Sequence, residues 1–518
     1  MIVFAAVALA AFLVFFALHL LYCMHMFQLN GYKPATHRRW MQQNPGQWIP
    51  GTVAGSCCLL ALLVPPVAAF PVLAAVFALL AVTQCPRKAK KPLVYTARVK
   101  RMLVTCAVLV AVLLCLGFLL GSKGGLVLAI GVIAVLSPLT VLVANWLNSP
   151  IEKAVQNYYI RDAKKLLQSC PELVRIGVTG SFGKTSVKYI LHTLLQAEYD
   201  TLMTPESYNT PMGVVITIRK FLRATHRVFV CEMGARHVGD IKELCDIAHP
   251  QLGIITSVGK QHLETFHSLD NVKKTKFELA DSLPEDGLVF LNGEDENIRE
   301  HRVHCKIPSV TYGLSPDCDY YATDIAATSR GTSFTVHTPA GEQESFSTKL
   351  VGAHNVINIV GAIALCSHLG ISLSRLKAQV RKLEAVPHRL QLLRRGSVTV
   401  IDDAYNSNPI GARAAIDALA LFDGFKILVT PGMVELGQEQ DALNSAFGAY
   451  AAGVCDYVAL VGKKQTQSIY EGLRSAGYPE EKIFVAEDLQ QALAAAYAVP
   501  ADGKEKILLL ENDLPDNF

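Results

Sequence analysis

The chain has 518 residues, of which 51% are hydrophobic and 18% are charged, and its formal net charge is +4. The positive mean hydropathy argues against a purely soluble protein, and the small net charge gives no indication of nucleic-acid binding. The 13 cysteines show no paired spacing of the zinc type, so we expect reduced thiols and no structural metal cluster.

Residues 1–149 are expected to form a transmembrane domain of four or five helices. The apolar runs cover residues 2–24, 52–83, 102–120 and 126–147. One span needs about 20 residues, so the second run, which prolines interrupt, favours two short spans. The segment 87–101 carries seven positive charges and no acid, which places it in the cytoplasm by the positive-inside rule. Five spans, which we favour, also place Arg38 and Arg39 there, whereas four would place them outside.

Residues 150–171 have the pattern of an amphipathic connector helix near the membrane surface. Strand and helix patterns then alternate, which predicts an α/β ATP-binding domain with a parallel sheet at residues 172–385. The alternation restarts in residues 386–518 and predicts a Rossmann-like C-terminal domain. The strands predicted in this last domain are 398–402, 426–429, 457–461, 483–486 and 507–510. We therefore expect a multi-pass protein of the cell membrane whose catalytic domains are cytoplasmic.

A glycine-rich loop joins a predicted strand, 173–178, to a predicted helix, 187–195. Glycines let backbone N–H groups turn towards an anion, and the N-terminus of the following helix points its positive end at the same place. A lysine adds charge for terminal phosphates, and a hydroxyl can bind Mg²⁺. The candidate residues are Gly180, Ser181, Gly183, Lys184, Thr185 and Ser186. The alternative is an ordinary glycine turn followed by a surface lysine.

Further polar residues follow predicted strands, where an α/β sheet places its ligands. Glu232 follows the strand 227–231, and His262 comes shortly after the strand 252–257. Taken singly, each is more often a helix cap or a satisfied polar group than a ligand. Their order behind a phosphate loop favours a functional site.

Several segments match the motifs of a known family. They are residues 180–186, 232–235, 262–264, 276–278, 292–295, 352–358, 387–390, 402–409 and 432–437. With these segments the chain resembles the Mur ligase family, ATP-dependent enzymes that join an amino acid or peptide to a carboxylate. The resemblance covers about residues 172–518. It is strongest to the branch that adds D-alanyl-D-alanine to the muramoyl tripeptide.

The resemblance implies a role for each matching residue. The implied catalytic residues are Lys184, Lys276, His262 and Arg389. The implied Mg²⁺ ligands are Thr185, Glu232, His262 and a carbamylated Lys276. The implied nucleotide-binding residues outside the phosphate loop are Asn292, His354, Asn358, Arg389 and Asp402. The implied substrate-binding residues are Tyr405, Asn406 and Asn408.

The implied reaction moves the γ-phosphoryl group of ATP to a carboxylate of a cell-wall precursor, and an amine then attacks the acyl phosphate. The membrane domain stands where the family carries a uridine-nucleotide domain, so we expect a lipid-linked precursor; the alternative is that the spans only anchor the enzyme. Two other functions are considered. One is a poly-γ-glutamate-type synthetase, and the other is a non-catalytic nucleotide-binding membrane scaffold. The motif at 402–409 argues against the first, and the presence of every implied ATP-site residue argues against the second.

Overall fold

The computed structural model describes residues 2–84, 92–120, 123–259, 261, 263–396, 398–405, 408–434 and 436–513. These residues form two compact units, of which the first ends at Tyr158 and the second begins at Tyr159. Positions 87–91 of the predicted basic loop lie outside the described residues.

The first unit is built from helices. They are α1 (Ile2–Leu29), α2 (Pro34–Gln43), α3 (Ile49–Ala61), α4 (Pro66–Thr83), α5 (Ala97–Leu119), α6 (Lys123–Val135) and α7 (Ser137–Gln168), with a 3-10 turn (Pro45–Trp48) before α3. Within the described ranges, α1, α4 and α5 are long and apolar enough to cross a membrane, and α6 with α7, bent by 81°, would add a fourth crossing. The 13 residues of α3 reach only about 20 Å, short of a hydrocarbon core of about 30 Å. Helix length therefore supports at most four spans, one fewer than the five favoured from the sequence.

Helices α1 and α4 run parallel to each other. The ring of Phe77 in α4 lies 5.3 Å from that of Phe12 in α1, and the side chain of Gln84, just after α4, hydrogen-bonds that of His19 at 2.9 Å. Residue numbers therefore rise together along the two helices. Because the chain leaves α1 at one end and enters α4 at the other, the intervening segment, which contains α3, has to return along the length of the pair.

Helix α3 packs closely against α6. A Cβ atom on Gly51 would lie 2.3 Å from the carbonyl oxygen of Ala134, and one on Gly55 would lie 2.4 Å from a methyl group of Val135. Glycine at these two positions lets the helices approach at backbone distance, as is common between helices in membranes.

One end of the helical unit is polar. Arg98, in the first turn of α5, donates to the side chain of Asn145 in α7 at 3.0 Å, and its guanidinium lies 4.2 Å from the centre of the Tyr32 ring. Arg101 pairs with Glu152 of α7 at 2.7 Å. The end of α1, the start of α5 and the middle of α7 therefore lie at the same end of this unit.

The connector predicted at residues 150–171 is not a separate helix. α7 runs from Ser137 to Gln168 with Pro150 in its interior, although a proline there removes one backbone hydrogen bond. The predicted start of the connector consequently falls inside a continuous helix.

The second unit begins with a nine-stranded sheet and its helices. The strands are β1 (Val174–Thr179), β2 (Thr201–Met203), β3 (Val228–Glu232), β4 (Leu252–Ile255), β5 (Leu288–Asn292), β6 (Ser309–Gly313), β7 (Tyr320–Thr328), β8 (Gly331–His337) and β9 (Gln343–Thr348). The helices are α8 (Lys184–Leu195), α9 (Pro211–Phe221), α10 (Asp240–Ala248), α11 (Leu263–Phe266), α12 (Leu269–Asp281), α13 (Glu296–Arg302), α14 (Ala353–His368) and α15 (Leu373–Val380).

The strand order of this sheet is β2-β3-β1-β4-β5-β6-β7-β8-β9. The strands from β2 to β7 are parallel, which confirms the predicted parallel sheet, whereas β8 pairs antiparallel with both β7 and β9. Ile176 and Val178 of β1 are fully buried between the helical layers. β3 and β4 flank β1, so the loops that follow these three strands meet at one edge of the sheet.

A second sheet follows, with strand order β10-β11-β15-β12-β13-β14. Its strands are β10 (Gln391–Arg395), β11 (Val398–Asp403), β12 (Phe425–Thr430), β13 (Tyr457–Val461), β14 (Ile483–Ala486) and β15 (Lys506–Glu511). Its helices are α16 (Pro409–Ala420), α17 (Gln440–Ala451), α18 (Gln467–Ser475) and α19 (Leu489–Ala498). The five strands predicted here are confirmed to within one residue at each end, and only β10, which pairs antiparallel with β11, was not predicted.

Candidate active site

The loop after β1 has the backbone geometry that anion binding requires. Gly183 adopts a left-handed conformation, φ +77°, and forms the N-cap of α8. Gly180 has φ +152°, and a Cβ atom there would lie 2.1 Å from the hydroxyl oxygen of Thr256. A side chain at Gly180 would therefore distort the loop, and the two glycines leave a cradle at the N-terminus of α8.

Ser181 anchors this loop to the loop after β4. Its backbone N–H donates to the carbonyl of Ser257 at 2.8 Å, and its hydroxyl lies 3.1 Å from the carbonyl oxygen and 3.0 Å from the amide nitrogen of Gly259. Ser181 is almost fully buried, so its hydroxyl is used inside the protein. The structure thus gives this predicted phosphate ligand an anchoring role through its side chain.

Lys184 folds back over the cradle. Its ammonium group donates to the carbonyls of Gly180 at 2.7 Å and Ser181 at 3.0 Å. Burial lowers the pKa of Lys184 to about 8, Glu232 opposes this shift, and Arg389 adds to it. The lysine therefore lies where it can exchange loop carbonyls for the phosphate oxygens of a bound nucleotide.

Thr185 and Glu232 form a buried pair of oxygen donors. The Glu232 carboxylate accepts hydrogen bonds from the Thr185 hydroxyl at 3.2 Å and from the Asn209 amide at 3.0 Å, while its other oxygen lies 3.0 Å from Nζ of Lys188. Within the described ranges, no three His, Cys, Asp or Glu side chains gather into a metal site. One carboxylate and one hydroxyl nevertheless fit Mg²⁺, which takes few protein ligands and completes its shell with phosphate and water.

Lys276 lies in α12 and is buried, with 2% of its surface exposed. Burial, together with the positive charge of Lys184, lowers the pKa of Lys276 well below its usual range, although Asp240 and Glu278 oppose this shift. Lys276 is therefore deprotonated more readily than an exposed lysine.

Arg389 reaches the phosphate loop from the segment before β10. Its guanidinium donates to the hydroxyl of Thr185 at 3.3 Å and lies 4.7 Å from the centre of the Tyr405 ring. The residues on either side, His388 and Leu390, have φ values of +60° and +48°. Left-handed conformations at non-glycine residues cost about 1–3 kcal/mol each, so a strained backbone directs this arginine to the site.

Two aspartates at the end of β11 hold that segment in place. Asp402 lies 2.8 Å from Nδ1 of His388, and Asp403 accepts a hydrogen bond from the backbone N–H of Leu390 at 3.1 Å. Burial and the neighbouring carboxylate of Glu511 raise the pKa of Asp403 to about 7. Asp402 therefore contacts the arginine-bearing segment.

The other three residues implied to bind the nucleotide differ in their surroundings. The Asn292 amide donates to the carbonyl of Thr256 at 2.9 Å, and Asn292 lines a cavity of about 560 Å³. The side-chain oxygen of Asn358 lies 3.1 Å from the place that a Cβ on Gly183 would occupy, so Asn358 faces the phosphate loop. Burial lowers the pKa of His354 to about 4, which favours the neutral imidazole.

The remaining predicted residues differ in their surroundings. Ser186 lines a separate cavity of about 360 Å³ between α8 and the segment 382–391. The side chain of Asn408 caps the N-terminus of α16, and Tyr405 is 43% exposed beside Arg389. His262 and Asn406 lie outside the described residues.

Sequence reasoning missed three residues of this site. They are Lys188, Asn209 and Thr256. Lys188 comes three residues after Thr185, a spacing that puts both on one face of α8, and this could have revealed it. Asn209 and Thr256 carry no comparable signal because the fold brings them to Glu232 and Gly180 from distant loops.

Two family models match the chain over most of the second unit. The Mur ligase middle domain matches residues 178–366, and the Mur ligase glutamate ligase domain matches residues 388–510. Neither match extends into the helical first unit.

The relatives are UDP-N-acetylmuramoyl-tripeptide--D-alanyl-D-alanine ligases. The Escherichia coli protein is 35% identical over 56% of this chain and 64% of its own length, and the Bacillus subtilis protein is 32% identical over 55% and 62%. The chain thus covers less than two thirds of either relative.

Solved structures agree with these matches. MurF from Acinetobacter baumannii is similar with a TM-score of 0.63 and 25% identity, covering 69% of this chain and 77% of that one. MurF ligase from Thermotoga maritima in complex with ADP has the same fold, with a TM-score of 0.62 and 24% identity over 69% of this chain and 80% of that one. The chain therefore belongs to the Mur ligase family.

Proposed function

We propose that the protein is a membrane-bound, ATP-dependent amide ligase that joins an amino acid or dipeptide to a carboxylate of a cell-wall precursor. The observation that carries this proposal is the convergence on Thr185, where the phosphate loop, Glu232 from β3 and Arg389 from the C-terminal domain meet. The curated relatives are named UDP-N-acetylmuramoyl-tripeptide--D-alanyl-D-alanine ligases, and a neighbouring structure holds ADP.

In this proposal the chain mainly positions reactants and neutralises charge. Lys184 and the N–H groups of the loop bind the phosphates of ATP, and Arg389 reaches the same site from the C-terminal domain. Thr185 and Glu232 would hold Mg²⁺, which would offset the negative charge of the phosphates.

The reaction proceeds through an acyl phosphate. A carboxylate oxygen of the precursor bonds to the γ-phosphorus of ATP, and ADP leaves. The amine then bonds to the acyl carbon and loses a proton, and inorganic phosphate leaves with the original carboxylate oxygen.

The test uses the full-length protein, ATP, candidate amines, and a panel of soluble and lipid-linked cell-wall precursors. Mass spectrometry should detect one amide product, and an ¹⁸O label in the precursor carboxylate should appear in the released phosphate. ATP hydrolysis without any amide product across the panel would contradict the proposal.

We also propose that Lys276 acts as a carbamate. The low pKa of its buried amine favours the neutral form that reacts with CO₂, and the product is a carboxylate suited to Mg²⁺. Nuclear magnetic resonance with ¹³C-labelled CO₂ should detect a carbamate signal that is absent from Lys276→Ala. Full activity in Lys276→Arg, which cannot form this carbamate, would refute the idea.

We propose that the helical unit lies in a membrane and crosses it five times, one crossing more than helix length alone supports. The parallel arrangement of α1 and α4 calls for a return crossing through α3 and the turn before it, even though α3 is short. The first 151 residues contain no aspartate or glutamate. Five crossings place Lys33, Arg38, Arg39 and Arg98 on one side, which the positive-inside rule identifies as the cytoplasm.

We further propose that this unit selects a lipid-linked precursor. In the sequence it takes the place of the family's uridine-nucleotide domain, and anchoring alone would need only one span. Full-length protein in lipid nanodiscs should process a polyprenyl-linked peptide faster than the same peptide on a soluble uridine nucleotide. Equal or faster turnover of the soluble form would mean that the helices serve only as an anchor.

A further inference from the structure

Lys188 is a fully buried lysine beside the proposed metal site. Its Nζ lies 3.0 Å from the Glu232 carboxylate, and the two side chains are 0% and 1% exposed. The same ammonium group also donates to the backbone carbonyl of Glu206. The family motifs that point to Lys184, Thr185 and Glu232 assign no role to Lys188.

Because of this ion pair, the two oxygens of the Glu232 carboxylate have different partners. One oxygen accepts from Thr185 and Asn209 and would be the one that serves Mg²⁺, whereas the other oxygen faces Lys188. A buried carboxylate without a partner is strongly destabilising, so the lysine compensates the charge of Glu232 and restricts its rotation. The oxygen that would serve Mg²⁺ is thereby held towards Thr185.

The contact with Glu206 extends this arrangement to the loop between β2 and α9. Glu206 has φ +43°, a left-handed conformation that a non-glycine residue rarely adopts without support. The same loop is tied to Glu232 by Asn209 and by Thr204, whose hydroxyl accepts from the Glu232 backbone N–H at 3.1 Å. Residues 206–208 of this loop are exposed at the sheet edge that carries the phosphate loop.

We propose that Lys188 is a positioning residue that orients Glu232 for Mg²⁺ and fastens the loop 204–209 beside it. The inference rests on the proposed function because it assumes that Glu232 serves Mg²⁺ in nucleotide binding. Removing the lysine should both weaken the binding of the metal and make the loop 204–209 less ordered. A residue with a purely structural role would change stability without changing the affinity of the folded protein for metal.

The experiment compares full-length wild type with Lys188→Met in binding Mn²⁺, a spectroscopic substitute for Mg²⁺, in the presence of ADP. Electron paramagnetic resonance should give a dissociation constant roughly 10- to 100-fold higher for the variant, the usual effect of losing a residue that supports a metal ligand. Chymotrypsin should also cleave faster after Tyr208, which is 38% exposed in the loop. The matched control is Lys273→Met, which removes a lysine paired with the exposed Glu300 at 2.6 Å in the same domain and should leave both readouts unchanged.

Two outcomes separate this inference from the proposed function. If wild type binds no Mn²⁺ with ADP, the proposed function itself fails. If wild type binds and Lys188→Met binds within twofold of it, only the role of Lys188 is refuted. Should Lys188→Met not fold, Lys188→Arg decides, because its planar guanidinium cannot reproduce both contacts of one ammonium group; an affinity at least threefold weaker supports the proposal, and an unchanged affinity overturns it.

Discussion

Replacing Asp403 by asparagine should make the C-terminal domain more stable at alkaline pH. The carboxyl is half-buried at the end of β11 beside Glu511, and its pKa is raised from 3.8 to about 7. Because the folded state binds this proton more tightly than the unfolded chain, the stabilising contribution is complete below about pH 4 and is lost as the pH rises through 7. Asparagine cannot ionise, and its side-chain oxygen can still accept from the backbone N–H of Leu390.

The size of the effect follows from the raised pKa. One pKa unit corresponds to about 1.4 kcal/mol, so the ionised carboxyl costs at most about 4 kcal/mol at pH 8. Partial contact with solvent screens the charge, and we expect about half of that value. The difference between variant and wild type should disappear near pH 4.

Hydrogen exchange read by mass spectrometry suits this measurement, because it reports on β11 and β15 directly. The tryptophans are Trp40, Trp48 and Trp146, which all lie in the helical unit, so their fluorescence would report the wrong part of the protein. The control is Asp423→Asn at an exposed site of the same domain. Faster exchange in Asp403→Asn than in wild type at pH 8, or an unchanged pH dependence, would refute the reasoning.

Three further predictions concern the phosphate loop and the topology. Lys184→Ala should abolish ATP turnover without lowering the melting temperature, and turnover at the wild-type rate would contradict its assignment. Gly180→Ala should lose nucleotide binding, measured by calorimetry, and about 1–3 kcal/mol of stability, because the new methyl group would overlap Thr256; unchanged binding would show that the cradle is not needed. A reporter fused after Asn148 should be cytoplasmic and one inserted at Lys123 external, and the reverse pattern would contradict the five-crossing topology.

Periodic and local patterns predicted the second unit well. The strands of the last domain were predicted from short apolar runs, and the loop from Gly180 to Ser186 from its glycine spacing. Both signals are patterns of residues that are close together in the sequence. Sheet order, in contrast, brings Asn209 and Thr256 to the site from loops distant in sequence. The amino-acid sequence alone contains no local pattern that predicts such contacts.

The helical unit was harder to predict because hydropathy measures only apolar length. It identified α1, α4 and α5 but could not show that α1 and α4 are parallel, a relation carried by side-chain contacts such as Phe12 with Phe77. The amphipathic pattern that follows suggested a new helix at Pro150, where α7 continues instead. Proline lowers the preference for helix locally, and tertiary packing can override that preference.

The placement of α3 has a consequence for biogenesis. Its 13 residues are too few to enter lipid independently, and α6, against which its glycines pack, begins only at Lys123. A nascent chain that has emerged only as far as α4 therefore lacks the surface that stabilises α3. In the five-crossing topology proposed above, insertion of α3 would have to follow translation of α6, after α1 and α4 have already emerged from the ribosome.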